Sequence, residues 1–182
     1  MSPYPVAFCV AQVVGLTGAA WLSGSIISLS TITVPALIKA TREDNMPLDI
    51  AVKSWRNIYT KGKSQSPPVA AVTSAAFLYC GWAVRAGTAL APLTPSNGSL
   101  MYCTAAVLTL GIVPYTLGLM SDTNNQLMDK ANSKWVADEK SSTEVESLLT
   151  RWLKLNTGRG LLPLVGGLIG LVAATPRPLE LL

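Results

Sequence analysis

The sequence predicts an all-α integral membrane protein, a four-helix bundle with amphipathic helices on its cytosolic side, and three observations predict it. Of 182 residues, 49% are hydrophobic and only 13% charged, against roughly 25% charged in soluble domains. The charges are segregated: none occurs from Met1 to Ile38, Ser64 to Val84, Ala86 to Ser121 or Gly160 to Pro176. Each gap is near or above the roughly 17 to 25 residues that cross a bilayer core. The cations gather in two loops, Lys39 to Lys63 and Lys130 to Arg159, which share one side if there are four spans. The positive-inside rule puts that side in the cytosol. Spans are therefore expected at about 5–34, 67–92, 100–120 and 160–175, and cytosolic segments at 39–66 and 121–159, in one membrane domain covering 1–182. An endoplasmic reticulum or related endomembrane location follows.

The first span reads as retained rather than as a removable signal peptide, because it lacks a basic start and its apolar run is long. Ala7, Ala11, Gly15, Ala19 and Ser23 recur every fourth residue, a spacing that lets helix backbones approach closely in lipid. Gln12 and Thr17 are expected to bond across helices. Ser30 to Pro35 should end or kink the helix before Lys39. After Pro47, the residues Leu48, Ala51, Val52, Trp55, Ile58 and Tyr59 share one helical face against Asp49, Lys53, Arg56, Asn57 and Lys61. The pattern is an amphipathic helix on the membrane surface or over the bundle mouth, with Trp55 and Tyr59 as interfacial anchors. Gly62 and Pro67-Pro68 are expected to turn the chain back into the membrane. Arg85 follows a stretch already long enough to cross, and reads as snorkelling to the interface.

Pro114 is a candidate kink in the third span. Ile112 to Leu127 then turns from apolar to polar within a few residues, offering Ser121, Asp122, Thr123, Asn124 and Asn125. Thr143 and Glu146 have capping-box spacing ahead of Val145, Leu148, Leu149 and Trp152. Gly166, Gly170 and Ala174 form a second close-packing ladder in the last span.

Composition also limits the chemistry. The net charge of +4 comes without an aromatic-interleaved basic patch or reader motif, so no nucleic-acid partner is expected. Cys9, Cys80 and Cys103 have no CxxC spacing and read as buried small hydrophobes. There is no histidine. Histidine-ligated haem, histidine-box di-iron centres, HExxH zinc sites and Ser-His-Asp triads are thereby excluded, and no metal site is expected.

The run PYTLGLMSDTNNQL (Pro114 to Leu127), followed by RWLKLNTGRG (Arg151 to Gly160) and preceded by WRNIYTKG (Trp55 to Gly62), resembles the anthrone oxygenase family of small four-span membrane proteins from fungal polyketide pathways. The resemblance implies oxidation of a polyketide anthrone to the anthraquinone by O₂ as co-substrate, with no metal, flavin or haem. Such a reaction needs a base, donors for a developing oxyanion and a dry, aromatic-sized pocket. Asp122 is the candidate base, which desolvation at the helix mouth would strengthen. By motif position Asn125 and Asn156 would bind or orient substrate oxygens, and Arg159 would stabilise the enolate, each such donor contributing about 3 kcal/mol. Tyr115, Thr116 and Trp152, with Trp55 and Tyr59 if the surface helix acts as a lid, would contact the rings. Each assignment has a plainer counterpart. Asp122 or Thr123 would cap a helix starting near Asn124, Asn156 would close a helix before Gly158, Arg159 would face lipid phosphate, and Trp152 would pack an amphipathic face. The alternative function is a non-catalytic tetraspan assembly factor or small transporter. The small-residue ladders leave open whether helices pack within one chain or between copies in a homo-oligomer.

Overall fold

The computed structural model describes residues 4–133 and 139–176, and every regular element among them is helical. In chain order these are α1 (Val6–Ser28), α2 (Val34–Glu43), α3 (Leu48–Ala83), α4 (Gly98–Leu110), α5 (Ile112–Gly118), α6 (Ser121–Asn132) and α7 (Glu139–Ala173). Three helical stretches are long and apolar enough to cross a membrane: Val6–Glu43, Gly98–Gly118 and Ser141–Ala173. The fourth expected span, α3, is not among them. Its polar first half and the Ser64-Gln65-Ser66 run leave too little apolar length before the helix ends at Ala83.

Three breaks expected from sequence are not breaks. Gly62 and Pro67-Pro68 lie inside the continuous α3. The carbonyls that these prolines cannot bond belong to Lys63 and Ser64, both at exposed positions. Asn156 and Gly158 lie inside the continuous α7, so Asn156 closes no helix. Thr143 and Glu146 also lie within α7, which already runs from Glu139, so they form no capping box. At Ser30 to Pro35 the helix does not end: a π-helical turn at Leu29–Thr33 interrupts the regular pairing and helix continues to Glu43. Near Pro114, α4 gives way to α5 at Gly111, whose N–H bonds the Val107 and Leu108 carbonyls at 2.9 and 3.2 Å. The second span ends at Ala83 rather than Pro92, and exposed Arg85 closes it by donating to the Trp82 carbonyl at 2.7 Å. Asp138, Glu139 and Lys140 read in sequence as a solvated turn, but α7 already includes Glu139 and Lys140; Asp138, and Arg177 where the last span is expected to end, lie outside the described residues.

The contacts divide into two compact units. One comprises the chain up to Ser23, Pro67–Ile112 and the chain from Leu162 on. Its core is Phe8, Ala19, Phe77, Cys80, Tyr102, Ala105 and Ala106 with their neighbours. Here the small-residue ladders act as predicted: a Cβ on Gly15 or Gly170 would come within 2.7 or 2.6 Å of the Phe77 ring, so both helices press on it from bare backbone. Gln12 donates across to the Tyr102 hydroxyl at 2.8 Å, whereas Thr17 bonds back to Val13 in its own helix at 2.6 Å.

The other unit comprises Gly24–Ser66 and Val113–Leu161. It is built on Val34, Val52, Trp55, Met120, Leu127, Val145, Leu149 and Trp152, with Leu48 and Tyr59 against them. The amphipathic face read from Leu48 to Tyr59 is thus the buried face of α3. Arg42 pairs with Glu146, and Lys130 with Glu144 at 2.7 Å.

Replacing Gly170 by leucine should lower stability by about 1–3 kcal/mol through overpacking against Phe77. Gly24→Ala, where a Cβ meets nothing within 4 Å, should be neutral or raise stability by up to about 1 kcal/mol. Thermal unfolding of the detergent-solubilised protein measures both.

Candidate functional site

All nine sequence-predicted site residues fall in the unit of Gly24–Ser66 and Val113–Leu161. Trp55, Trp152, Asn156 and Arg159 are buried, Tyr59, Tyr115 and Thr116 are half-buried, and Asp122 and Asn125 are exposed. On α7, positions 152, 156 and 159 follow at helical intervals, and all three side chains turn inward. On α3, Trp55 and Tyr59 are one turn apart and stack at 5.1 Å with rings within 5° of parallel. The Trp152 ring meets Trp55 edge-on at 5.9 Å.

Asn156 is fully buried, and both of its amide hydrogens are committed. Nδ2 donates to the Ile26 carbonyl and to Ser30 Oγ, each at 2.8 Å. Its Oδ1 is buried with no partner. Arg159 is 6% exposed. Its Nη1 donates to Thr116 Oγ1 at 3.1 Å, and its Nε is buried with no partner. The Arg159 charge acts on both Tyr59 and Tyr115. Burial pushes the Tyr59 phenol above its ordinary value, while Arg159 pulls the other way. Tyr115 lies against bare backbone, since a Cβ on Gly158 would meet its hydroxyl at 2.6 Å.

Asp122 and Asn125 are elsewhere. α6 begins at Ser121 with Met120 as its N-cap and no side-chain cap, so neither Asp122 nor Thr123 caps it. Asp122 occupies the first turn, where a carboxylate complements the helix dipole. Its side chain is 62% exposed, faces Arg151 at 3.3 Å and accepts from Gln126 at 2.9 Å. The desolvation expected of it does not occur. Asn125 is exposed, and the helix turns its neighbours inward instead. Asn124 Oδ1 accepts from Trp152 Nε1 at 3.0 Å in a buried bond, and Thr123 Oγ1 is buried without a partner. Trp55 Nε1 is likewise buried and unpartnered.

The sequence reading therefore missed Thr123, Asn124 and Ser30. A signal for the first two existed: Thr123, Asn124 and Leu127 share the i, i+3/i+4 face that carries the apolar residues of α6, whereas Asn125 falls on the opposite side. Ser30 is placed by the π turn, which no residue spacing announces.

Among the described residues of this unit, Trp55 Nε1, Thr123 Oγ1, Asn156 Oδ1 and Arg159 Nε are buried without a hydrogen-bond partner, as is Glu146 Oε1, which has its ion pair with Arg42. A buried group left unsatisfied costs about 1–3 kcal/mol, more if charged. Native proteins keep few of them, and those kept call for a functional explanation. Among the described residues no group of three or more Cys, Asp or Glu is placed to hold a metal ion.

A sequence-family profile described as anthrone oxygenase matches residues 55–169. Anthrone oxygenase encC of Aspergillus fumigatus is 37% identical over 174 residues, 90% of this chain and 91% of that protein. Noranthrone monooxygenase of Aspergillus flavus is 31% identical over 86% of this chain and 69% of its own length. Anthrone oxygenase nsrD of Aspergillus novofumigatus is 32% identical over 82% of this chain and 84% of its own. No solved structure matches the chain.

The inward turn of α6 has a direct test. Asn124→Ala strands the Trp152 indole N–H and should cost about 1–3 kcal/mol. Asn125→Ala, at an exposed position, should stay within about 0.5 kcal/mol. Denaturant titration in mixed micelles compares the two, and equal losses would contradict the geometry.

Proposed function

The chain belongs to the anthrone oxygenase family, and on that premise we propose that it oxidises a polyketide anthrone to the anthraquinone with O₂, unaided by metal, flavin or haem, on the inner face of α7. The observation that carries this reading is the pair of buried, unpartnered polar atoms on that face, Asn156 Oδ1 and Arg159 Nε. It also rests on the aromatic walls beside them and on the relatives' activity as their names give it.

The chemistry asks little of the protein beyond electrostatics. An anthrone carries an acidic methylene opposite its carbonyl. Loss of one proton gives a delocalised enolate with its charge on the former carbonyl oxygen. Arg159 Nε–H, held in a buried setting by the Nη1 bond to Thr116, is the donor for that oxygen. The enolate transfers electrons to O₂ and, with a proton returned, forms a C–OOH bond at the former methylene carbon. Loss of water leaves the second carbonyl. The net change is one CH₂ and one O₂ converted to one C=O and one H₂O, so no external reductant is consumed.

The polar groups act in this account by lowering the energy of the enolate. Tyr59, half-buried, within reach of the Arg159 charge and outside the three apolar stretches, marks the edge at which the proton passes to water in this reading. Asp122, exposed and paired with Arg151, serves as a first-turn charge on α6 rather than as the base. Asn125 has no contact with the ring system in this account. If α3 also crosses the membrane, the two cationic loops share one side and the charge asymmetry puts that side in the cytosol of an endomembrane.

Membranes carrying the protein, incubated aerobically with emodin anthrone, should form the anthraquinone above the spontaneous rate and should keep doing so in chelator. Arg159→Ala should lower turnover by about 10²- to 10³-fold. Asp122→Asn should stay within about threefold, as expected for a group that takes no part in proton transfer. A hundredfold loss in Asp122→Asn would return the proton to that carboxylate, and no acceleration by the wild-type protein would end the oxygenase reading.

A further inference from the structure

We infer that Asn156 is the residue by which this site selects hydroxylated anthrones, its Oδ1 accepting a hydrogen bond from a ring hydroxyl while Arg159 Nε donates to the carbonyl. The inference rests on the oxygenase reading above and adds a specificity that reading does not require.

The orientation of the Asn156 amide decides what a ligand would meet. An asparagine has two donors on nitrogen and an acceptor oxygen, and a ligand meets whichever the protein has left free. Here Nδ2 has two acceptors at 2.8 Å, the Ile26 carbonyl and Ser30 Oγ. The carbonyl can only accept, so the nitrogen must point at it and the amide cannot be reversed without placing oxygen against oxygen. What remains is Oδ1, buried and unpartnered. It can accept and cannot donate, so its ligand must bring a hydrogen. A ketone oxygen cannot fill it, nor can an ether or an aromatic C–H edge with comparable strength.

Three residues further along α7, Arg159 Nε has the opposite demand. It can only donate, and its Nη1 is already bonded to Thr116. The two positions are neighbours on one helical face. A ligand that meets both would carry one acceptor and one donor along the same edge. A ring ketone supplies the first, and a phenolic hydroxyl supplies the second. Anthrone without hydroxyls would satisfy Arg159 and leave Asn156 Oδ1 buried and unpaired. Sites built around a buried polar partner reject analogues that lack the matching group more strongly than apolar pockets reject a changed methylene.

The test is the ratio of kcat/KM for emodin anthrone to that for unsubstituted anthrone, each corrected for spontaneous oxidation, in wild type and in Asn156→Leu. The leucine replaces the acceptor with an apolar group of similar size. The ratio should fall at least about tenfold in the variant, whatever the change in absolute rate, because the cost of an unmatched buried acceptor is of that order. Because both substrates meet the same enzyme, differences in their intrinsic acidity cancel in the comparison of ratios. An unchanged ratio overturns the inference. A second measurement needs no variant: wild-type protein should bind a hydroxylated anthraquinone at least about tenfold more tightly than unsubstituted anthraquinone, and equal affinities overturn it too. Acceleration of neither anthrone would overturn the oxygenase reading itself. Acceleration of both with the same ratio in wild type and variant would leave that reading standing and remove this one.

Discussion

The polar face of α7 depends on the side-chain amide of Asn156, and Asn156 depends on a fault in the regular pairing of the first helix. Pro35 has no N–H to return to the Thr31 carbonyl, and the helix passes it through a π turn at Leu29–Thr33. Ser30, within that turn, and the Ile26 carbonyl one turn earlier are the two acceptors of the Asn156 amide. One irregularity in backbone hydrogen bonding thus fixes the orientation of a side chain 126 residues away in sequence. Arg159 follows one turn later, anchored on Thr116 from α5. Because helix interiors are rigid, both groups hold their unpartnered atoms in fixed directions.

The aromatic part of the site is organised around a second buried bond. Asn124 accepts from the Trp152 indole, Trp152 stands edge-on to Trp55, and Trp55 stacks on Tyr59. Large rings held by a polar handle at one end present flat, fixed walls. The same residues form much of the core of their unit. Stability and substrate geometry are therefore not separable here: a change at Trp152 alters both, whereas a change at Arg159 Nε or Asn156 Oδ1 acts on atoms that nothing else uses.

Much of this was legible in the sequence. Charge segregation and apolar length predicted an all-helical chain, and the small-residue ladders predicted the close approach that Gly15 and Gly170 make to Phe77. The Leu48 to Tyr59 stripe is one face, as read, but it packs into a core and Trp55 is fully buried rather than an interfacial anchor. Helix boundaries were less legible, because Pro67-Pro68, Gly158 and the Thr143–Glu146 pair carry strong local signals that long-helix packing overrides. In the polar exit from Met120, residue types announced a dense cluster but not its phase. A start at Ser121 rather than near Asn124 turns Thr123 and Asn124 inward and Asp122 and Asn125 outward. The absence of histidine narrowed the chemistry to amides, hydroxyls and guanidinium groups. Choosing among them required knowing which atoms were buried and already bonded.

The central claim is that substrate oxygens occupy the positions left open by Asn156 and Arg159. A structure of the protein with a bound hydroxyanthraquinone product tests it most directly. The account predicts a ring carbonyl oxygen at hydrogen-bonding distance from Arg159 Nε and a ring hydroxyl at hydrogen-bonding distance from Asn156 Oδ1. A product seated elsewhere, with both atoms still buried and unpartnered, would contradict it.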